Sequence, residues 1–193
     1  MIIYLLHKVS ECIINVFFGK DDEKYDLYLY GIELLCSSIF CSLILLLIGV
    51  FTGLFVETAI YIIAFSALKI FSGGYHANSY MLCNFITVMT LVASLSINKY
   101  LFQYTTNIFV NSVVFAITII ALLLFAPVKN KNKSINKKQY ISYKNKSLCI
   151  AIIEILSFYI IYYLLKCPKI SIIVPALFLS DILLIIPLLL RRD

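Results

Sequence analysis

Six apolar segments, each close to the roughly 20 residues that a helix needs to cross a bilayer, constrain this chain more than any other feature. They run over residues 34–52, 54–71, 81–98, 107–126, 148–165 and 170–190. The composition agrees, because 62% of the chain is hydrophobic and 13% is charged, against about 45–50% and about 25% in soluble domains. Lipid offers no partner for backbone amides, so such segments fold as helices. The sequence therefore predicts an all-α integral membrane protein with six transmembrane helices.

The residues around the spans predict how they begin, turn and bend. In residues 1–18, apolar side chains recur at helical spacing with polar ones between them, which predicts an amphipathic helix lying on the membrane surface. This segment lacks the basic start and the cleavage site of a signal peptide. Gly53 predicts a tight turn between the first two spans, and Pro175 or Pro187 predicts a kink in the sixth. The six cysteines show no paired or metal-binding spacing, so neither disulfides nor a bound metal are expected.

A lysine-rich segment between the fourth and fifth spans sets the predicted orientation. Residues 127–147 form a basic loop with seven lysines and no acid. The lysines are Lys129, Lys131, Lys133, Lys137, Lys138, Lys144 and Lys146. Short basic loops stay in the cytoplasm, which places both termini and the junction of the second and third spans on the cytoplasmic side of the cell membrane. A second interpretation gives the lysines a ligand, either an anionic lipid or an acidic peptide.

The junction of the second and third spans, FSGGYHANSYMLCNF, holds the candidate chemistry. On one straight helix the Cα atoms of His76 and Cys83 would lie roughly 10 Å apart, too far for the contact that a nucleophile and its base need. Gly73 and Gly74 can break the helix, so that the third span starts near Ser79 and the loop folds back over Cys83. A thiol in the first turns of a helix, beside an imidazole, is favoured as a thiolate. The alternative is a simple turn with an interfacial histidine and a packing cysteine.

Several other polar residues are candidates to support such a pair. Those nearest in the predicted topology are Lys69, Glu33, Asn78 and Ser79, with the backbone amides of Gly73, Gly74 and Cys83 as oxyanion donors. Lys69 can instead extend its ammonium to the cytoplasm without further role. Acids within spans are functional candidates by default, and Glu57 and Asp181 are further candidates for a third catalytic residue. Glu57, however, falls far from the junction and is expected to pair helices, while Asp181 and Glu154 are expected to be packing or dimer contacts.

These residues carry a resemblance to a known family. GGYHANSYMLC is similar to the GG-x-H-(x)6-C motif of the accessory gene regulator B (AgrB) family of membrane-embedded cysteine endopeptidases. Further similarities cover nearly the whole chain: the amphipathic N-terminal segment, Tyr30-Gly31-x-Glu33, a basic residue before the glycines, and Ala-Pro followed by an Asn/Lys-rich loop. Many members carry arginine where this chain has Lys69, which keeps the charge but lacks the planar fork.

The resemblance implies a specific activity in quorum sensing. A member would bind a short AgrD-like precursor peptide with an amphipathic leader and an acidic C-terminal tail. Cys83 would attack as nucleophile with His76 as base, release the tail, and form a thioester that an internal residue of the peptide then converts into a thiolactone or lactone ring. The chain would be one peptidase domain, with residues 34–126 as catalytic helices one to four, residues 127–147 as the basic loop and residues 148–190 as helices five and six. A homodimer is expected, and no cofactor or nucleic acid.

A non-catalytic protein is the alternative function. A membrane transporter or a scaffold for a peptide could also use a broken helix as a binding loop. Transporters more often show two matched halves with matched breaks, whereas this sequence has one strong break and no visible repeat.

Overall fold

Six long helices make up most of the part of the chain that the computed structural model describes, namely residues 8, 10–12, 25–75, 79–128 and 136–190. They are α1 (Tyr25–Thr52), α2 (Phe55–Ser72), α3 (Tyr80–Tyr100), α4 (Ile108–Phe125), α5 (Lys137–Tyr159) and α6 (Ile173–Leu190). No strand occurs within those ranges. Six helical segments are long and apolar enough to cross a membrane, which confirms the predicted fold class. Residues 8 and 10–12 are helical, and the rest of the predicted amphipathic helix lies outside the described residues.

Two helices begin earlier than predicted. Helix α1 starts at Tyr25 rather than at residue 34, and α5 starts at Lys137 rather than at residue 148, so the second half of the predicted basic loop is helical. Hydropathy detects only the most apolar part of a helix, and both extensions contain polar or charged residues. At the start of α5 the Asn136 amide donates to Gln139 Oε1 at 3.1 Å, which closes the first turn.

The connections also differ from plain helices. A four-residue helix, Phe102–Thr105, lies between α3 and α4. Helix α5 continues into a π-helical turn, Ile160–Leu164, and α6 is preceded by a 3-10 helix, Pro168–Ile172. The wider π turn and the tighter 3-10 turn together make the connection between the last two spans.

Helix α6 is the centre of the bundle. Of the residues in its span, Pro168–Pro187, 61% are buried, against 17–33% in the other five. Its apolar side chains contribute to two core clusters. One joins it to α2, α4 and α5, around Leu68, Phe115 and Leu177. The other joins it to α1, α2 and α3, around Tyr61 and Leu91. Since lipid is as apolar as these side chains, such packing works through close contact rather than through exclusion of water.

A close approach between α1 and α2 depends on one glycine, and this gives a testable prediction. A Cβ added at Gly49 would lie 2.7 Å from Oγ1 of the fully buried Thr58. We expect Gly49→Ala to lower the free energy of unfolding by about 1–3 kcal/mol through overpacking. Gly31→Ala is the matched control in the same helix, because nothing lies within 4 Å of its added Cβ; it should gain up to about 1 kcal/mol in helix propensity. Thermal unfolding in detergent measures both, and equal shifts would contradict the prediction.

Candidate functional site

The start of α3 presents Cys83 close to a helix N-terminus. Ser79 caps the helix in an extended conformation, and its Oγ accepts the Leu82 amide at 3.3 Å. The prediction that the third span starts near Ser79 is therefore confirmed. Tyr80 is the first residue of α3 and Cys83 the fourth. Because helical Cβ atoms tilt toward the N-terminus, the partly exposed Cys83 side chain extends back toward the capped turn.

Two of the predicted oxyanion donors are already engaged. The Cys83 amide donates to the Ser79 carbonyl at 3.1 Å, and the Gly73 amide donates to the Lys69 carbonyl at 3.0 Å. Both bonds belong to the helices that these residues start or end, so each amide would have to leave a helical partner to bind an oxyanion. The first-turn amides of α3, at Tyr80 and Met81, have no carbonyl partner within a helix and point toward the same cap.

Gly73 and Gly74 lie where a residue with a side chain would be strained. Gly73 has φ +73° and Gly74 has φ +121°, both in the region that side chains disfavour. A Cβ on Gly73 would lie 2.9 Å from the Val128 carbonyl oxygen, and one on Gly74 would lie 3.1 Å from the Leu183 carbonyl oxygen. The helix therefore ends here because two other backbone segments approach it, as well as because glycine is flexible.

Backbone hydrogen bonds fasten this loop on both sides. The Val128 amide donates to the Ser72 carbonyl at 3.0 Å, which satisfies one of the last carbonyls of α2. The Tyr75 amide donates to the Leu183 carbonyl of α6 at 2.8 Å. Tyr75, the residue directly before His76, is thus held to α6 by a backbone hydrogen bond. His76 and Asn78 themselves lie outside the described residues, so their predicted positions stay predictions.

A polar stripe on α1 lines the first turns of α3. Glu33, Ser37 and Cys41 are spaced by four residues and so share one face of the helix. Tyr80 Oη donates to Glu33 Oε2 at 3.3 Å, and Asn84 Nδ2 donates to Ser37 Oγ at 3.1 Å. The Cys41 thiol lies 3.9 Å from the Asn84 carbonyl oxygen. Glu33 was a predicted site residue, whereas Ser37 and Cys41 were not. Their four-residue spacing after Glu33 was the sequence signal that could have placed them on the same helix face.

Lys69 supplies a positive charge on the same side of the bundle. Its partly buried side chain places Nζ 5.2 Å from the centroid of the Phe65 ring. The ammonium also lies within electrostatic range of the Cys41 thiol, as does Cys83. The charge is therefore held near an aromatic face and close to the α1–α3 contact, a place where it can act on an anion.

The acids within the spans lie elsewhere. Glu57 faces a cavity of about 300 Å³ beside the α1–α2 turn, together with Leu54, Leu95, Asn98, Lys99, Pro168 and Lys169. That is the end of α3 opposite to Cys83. Asp181 accepts a hydrogen bond from Thr118 Oγ1 at 2.6 Å, which links α6 to α4. Glu154 is buried in α5, and neither carboxylate oxygen has a hydrogen-bond partner among the described residues. Those residues also hold no cluster of three potential metal ligands.

Comparison with known proteins gives consistent similarities. The family model described as accessory gene regulator B matches residues 8–188. An AgrB-like protein of Clostridium perfringens (strain SM101 / Type A) is 30% identical over 152 residues, which is 76% of this chain and 68% of the relative. AgrB-like protein 2 of Clostridium perfringens (strain 13 / Type A) is 25% identical over 144 residues, 72% of this chain and 65% of the relative.

The match to both relatives is long but partial, since it spans about two thirds of their length. No solved structure gives a significant match. The family model, in contrast, covers the polar stripe of α1, the glycine loop, Cys83 and most of α6 in one alignment. The chain belongs to the accessory gene regulator B family.

Proposed function

We propose that this member of the accessory gene regulator system is a membrane cysteine endopeptidase that processes the precursor of a signal peptide. The observation that carries the proposal is the placement of Cys83 in the first turns of α3, reached from a glycine loop anchored up to Tyr75. In this proposal Cys83 is the nucleophile, His76 the base, and the whole chain a single peptidase domain. The substrate is a short AgrD-like precursor with an amphipathic leader and an acidic tail.

The proposed chemistry transfers one acyl group twice. The Cys83 thiolate attacks the carbonyl at the cleavage site, the C–N bond breaks, and protonated His76 gives its proton to the leaving amine. The precursor is now a thioester on Cys83. An internal thiol or hydroxyl of the peptide gives its proton to neutral His76 and attacks this thioester, which closes a thiolactone or lactone ring and returns Cys83 as thiolate. A partly enclosed site favours ring closure over hydrolysis because it limits the access of water.

The charges around the site suit a precursor with an acidic tail. Lys137 and Lys138 are exposed at the start of α5, while Lys144 donates to the Leu123 carbonyl at 2.7 Å and Lys146 lies over the Phe71 ring. Of these four, we propose Lys137 and Lys138 as contacts for the acidic tail. We propose Lys69 as a positive charge nearer the Cys83 thiol. The positive-inside rule favours a cytoplasmic location for this end of the bundle. A homodimer is part of the proposal.

The reactivity of Cys83 tests the pairing without knowledge of the precursor. In membranes of a variant that retains Cys83 as its single cysteine, we expect rapid alkylation near neutral pH, because the thiolate is the reactive form of a cysteine. Adding His76→Ala should slow the reaction, since the imidazolium no longer stabilises the thiolate. The rate of labelling against pH measures both.

The opposite outcome would favour the alternative functions. If Cys83 is alkylated slowly in the parent chain and His76→Ala changes nothing, the two residues are not a catalytic pair. A transporter or a scaffold for a peptide would then explain the broken helix better than an endopeptidase does.

A further inference from the structure

One proline in α6 leaves a backbone acceptor open at the level of the glycine loop. Pro187 lies inside α6, and the residue four positions before it is Leu183. In an uninterrupted helix the amide of residue 187 would donate to the Leu183 carbonyl. Proline has no amide hydrogen, and its ring also pushes that carbonyl away from the helix axis. The Leu183 oxygen is therefore without its usual partner in the helix.

The glycine loop supplies the missing donor. The Tyr75 amide donates to this same oxygen at 2.8 Å. Gly74 approaches so closely that an added Cβ would lie 3.1 Å from the oxygen and 3.5 Å from the Leu184 Cα. A backbone donor or acceptor left without a partner inside a protein costs free energy, so each of these groups gains from the other. The Tyr75 amide thus takes the place of the amide that Pro187 lacks and donates to the Leu183 carbonyl.

We propose that Pro187 is a positioning residue: by withholding an amide from Leu183, it keeps that carbonyl as the anchor of Tyr75 and fixes where the chain departs toward His76. The inference deepens the proposed function and rests on it for its catalytic meaning. Tyr75 directly precedes His76, so a displacement of the Tyr75 anchor moves the backbone of the base as well.

A second proline in α6 provides the contrast. Pro175 lies in the first turn of α6, directly after the 3-10 helix, so the carbonyl four positions before it belongs to Ser171 and not to a residue that bonds the glycine loop. It is buried, like much of this span, but it leaves no acceptor to the glycine loop. If prolines in α6 mattered only for bending or for packing, replacing either one would be expected to disturb the site in a similar way.

The anchor is tested by hydrogen exchange of the Tyr75 amide in the full chain. We expect Pro187→Ala to return a donor to Leu183 and to speed exchange at Tyr75 by at least tenfold, while Pro175→Ala leaves it unchanged. Alanine is a better helix former than proline, so α6 is retained; Pro187→Leu, which also restores the amide, is the second variant. Unchanged exchange in both Pro187 variants, or an equal rise in Pro175→Ala, would overturn the inference.

The catalytic part is read from the pH profile of Cys83 alkylation in the single-cysteine chain. Pro187→Ala should shift the profile toward that of His76→Ala, and Pro175→Ala should not. Faster Tyr75 exchange with an unshifted Cys83 profile would overturn the positioning role. If the parent chain shows no dependence on His76 at all, the proposed function fails instead, and the exchange rates alone then decide whether Pro187 holds the loop.

Discussion

Cys83→Ala is expected to abolish release of the precursor's acidic tail, with a loss of at least ~10³-fold. Removing a nucleophile leaves only binding and electrostatic stabilisation, which cannot form an acyl-enzyme. The measurement is co-expression with a precursor that has an amphipathic leader, an internal cysteine and an acidic tail, followed by the mass of the peptide. Tail release that survives Cys83→Ala would contradict the assignment.

Cys41→Ala is the matched control for this loss. Cys41 is a buried thiol on the opposing helix, close to the Asn84 carbonyl, and it shares the neighbourhood of Cys83 without lying at a helix start. We expect tail release to stay within a few-fold of the parent in this variant. An equal loss in both variants would show that the contact between α1 and α3, rather than the Cys83 thiol, had been destroyed.

A precursor without its internal cysteine separates the two acyl transfers. With that thiol replaced by alanine, the ring cannot close, and the thioester should remain on Cys83 until water removes it. Intact-mass analysis of the protein should then show the leader-containing fragment bound covalently in the parent chain and absent in Cys83→Ala. A free, linear fragment without any adduct would indicate direct hydrolysis.

Hydropathy predicted most of the fold because a helix that crosses the bilayer must be apolar. Four spans begin within a few residues of their predicted starts, for instance α2 at Phe55 and α3 at Tyr80. The starts of α1 and α5 could not be found this way. Their first turns hold polar residues outside the apolar span, and only a local signal such as Asn136 with Gln139 marks the beginning of α5.

The site was predictable only in part, for a different reason. The glycine pair, Cys83 and the cap at Ser79 are close in sequence, so local rules about φ, capping and helix breaking place them. The anchor between Tyr75 and Leu183 joins residues more than a hundred positions apart. Neither spacing nor composition predicts such a pair. The missing amide of Pro187 indicated only that the Leu183 carbonyl was open to a donor from another segment.

The second large effect concerns Glu154, which we expect to be replaceable with a gain in stability. Its side chain is buried in α5, and both carboxylate oxygens lack a partner among the described residues. An unsatisfied buried polar group costs about 1–3 kcal/mol, so Glu154→Leu should raise the free energy of unfolding by about that amount. Thermal unfolding in detergent measures the change.

Glu154→Gln shows whether the gain comes from removing polarity. It keeps the shape of the side chain and two unsatisfied polar atoms, so it should shift stability far less than leucine does. Tail release should be unchanged in both variants, because Glu154 lies in α5, which packs against α2 and α4, whereas Tyr80 and Asn84 on either side of Cys83 contact α1. A destabilised Glu154→Leu would mean that the carboxylate has a partner, and a loss of peptide movement across the membrane with tail release intact would give this intramembrane acid a role in transport.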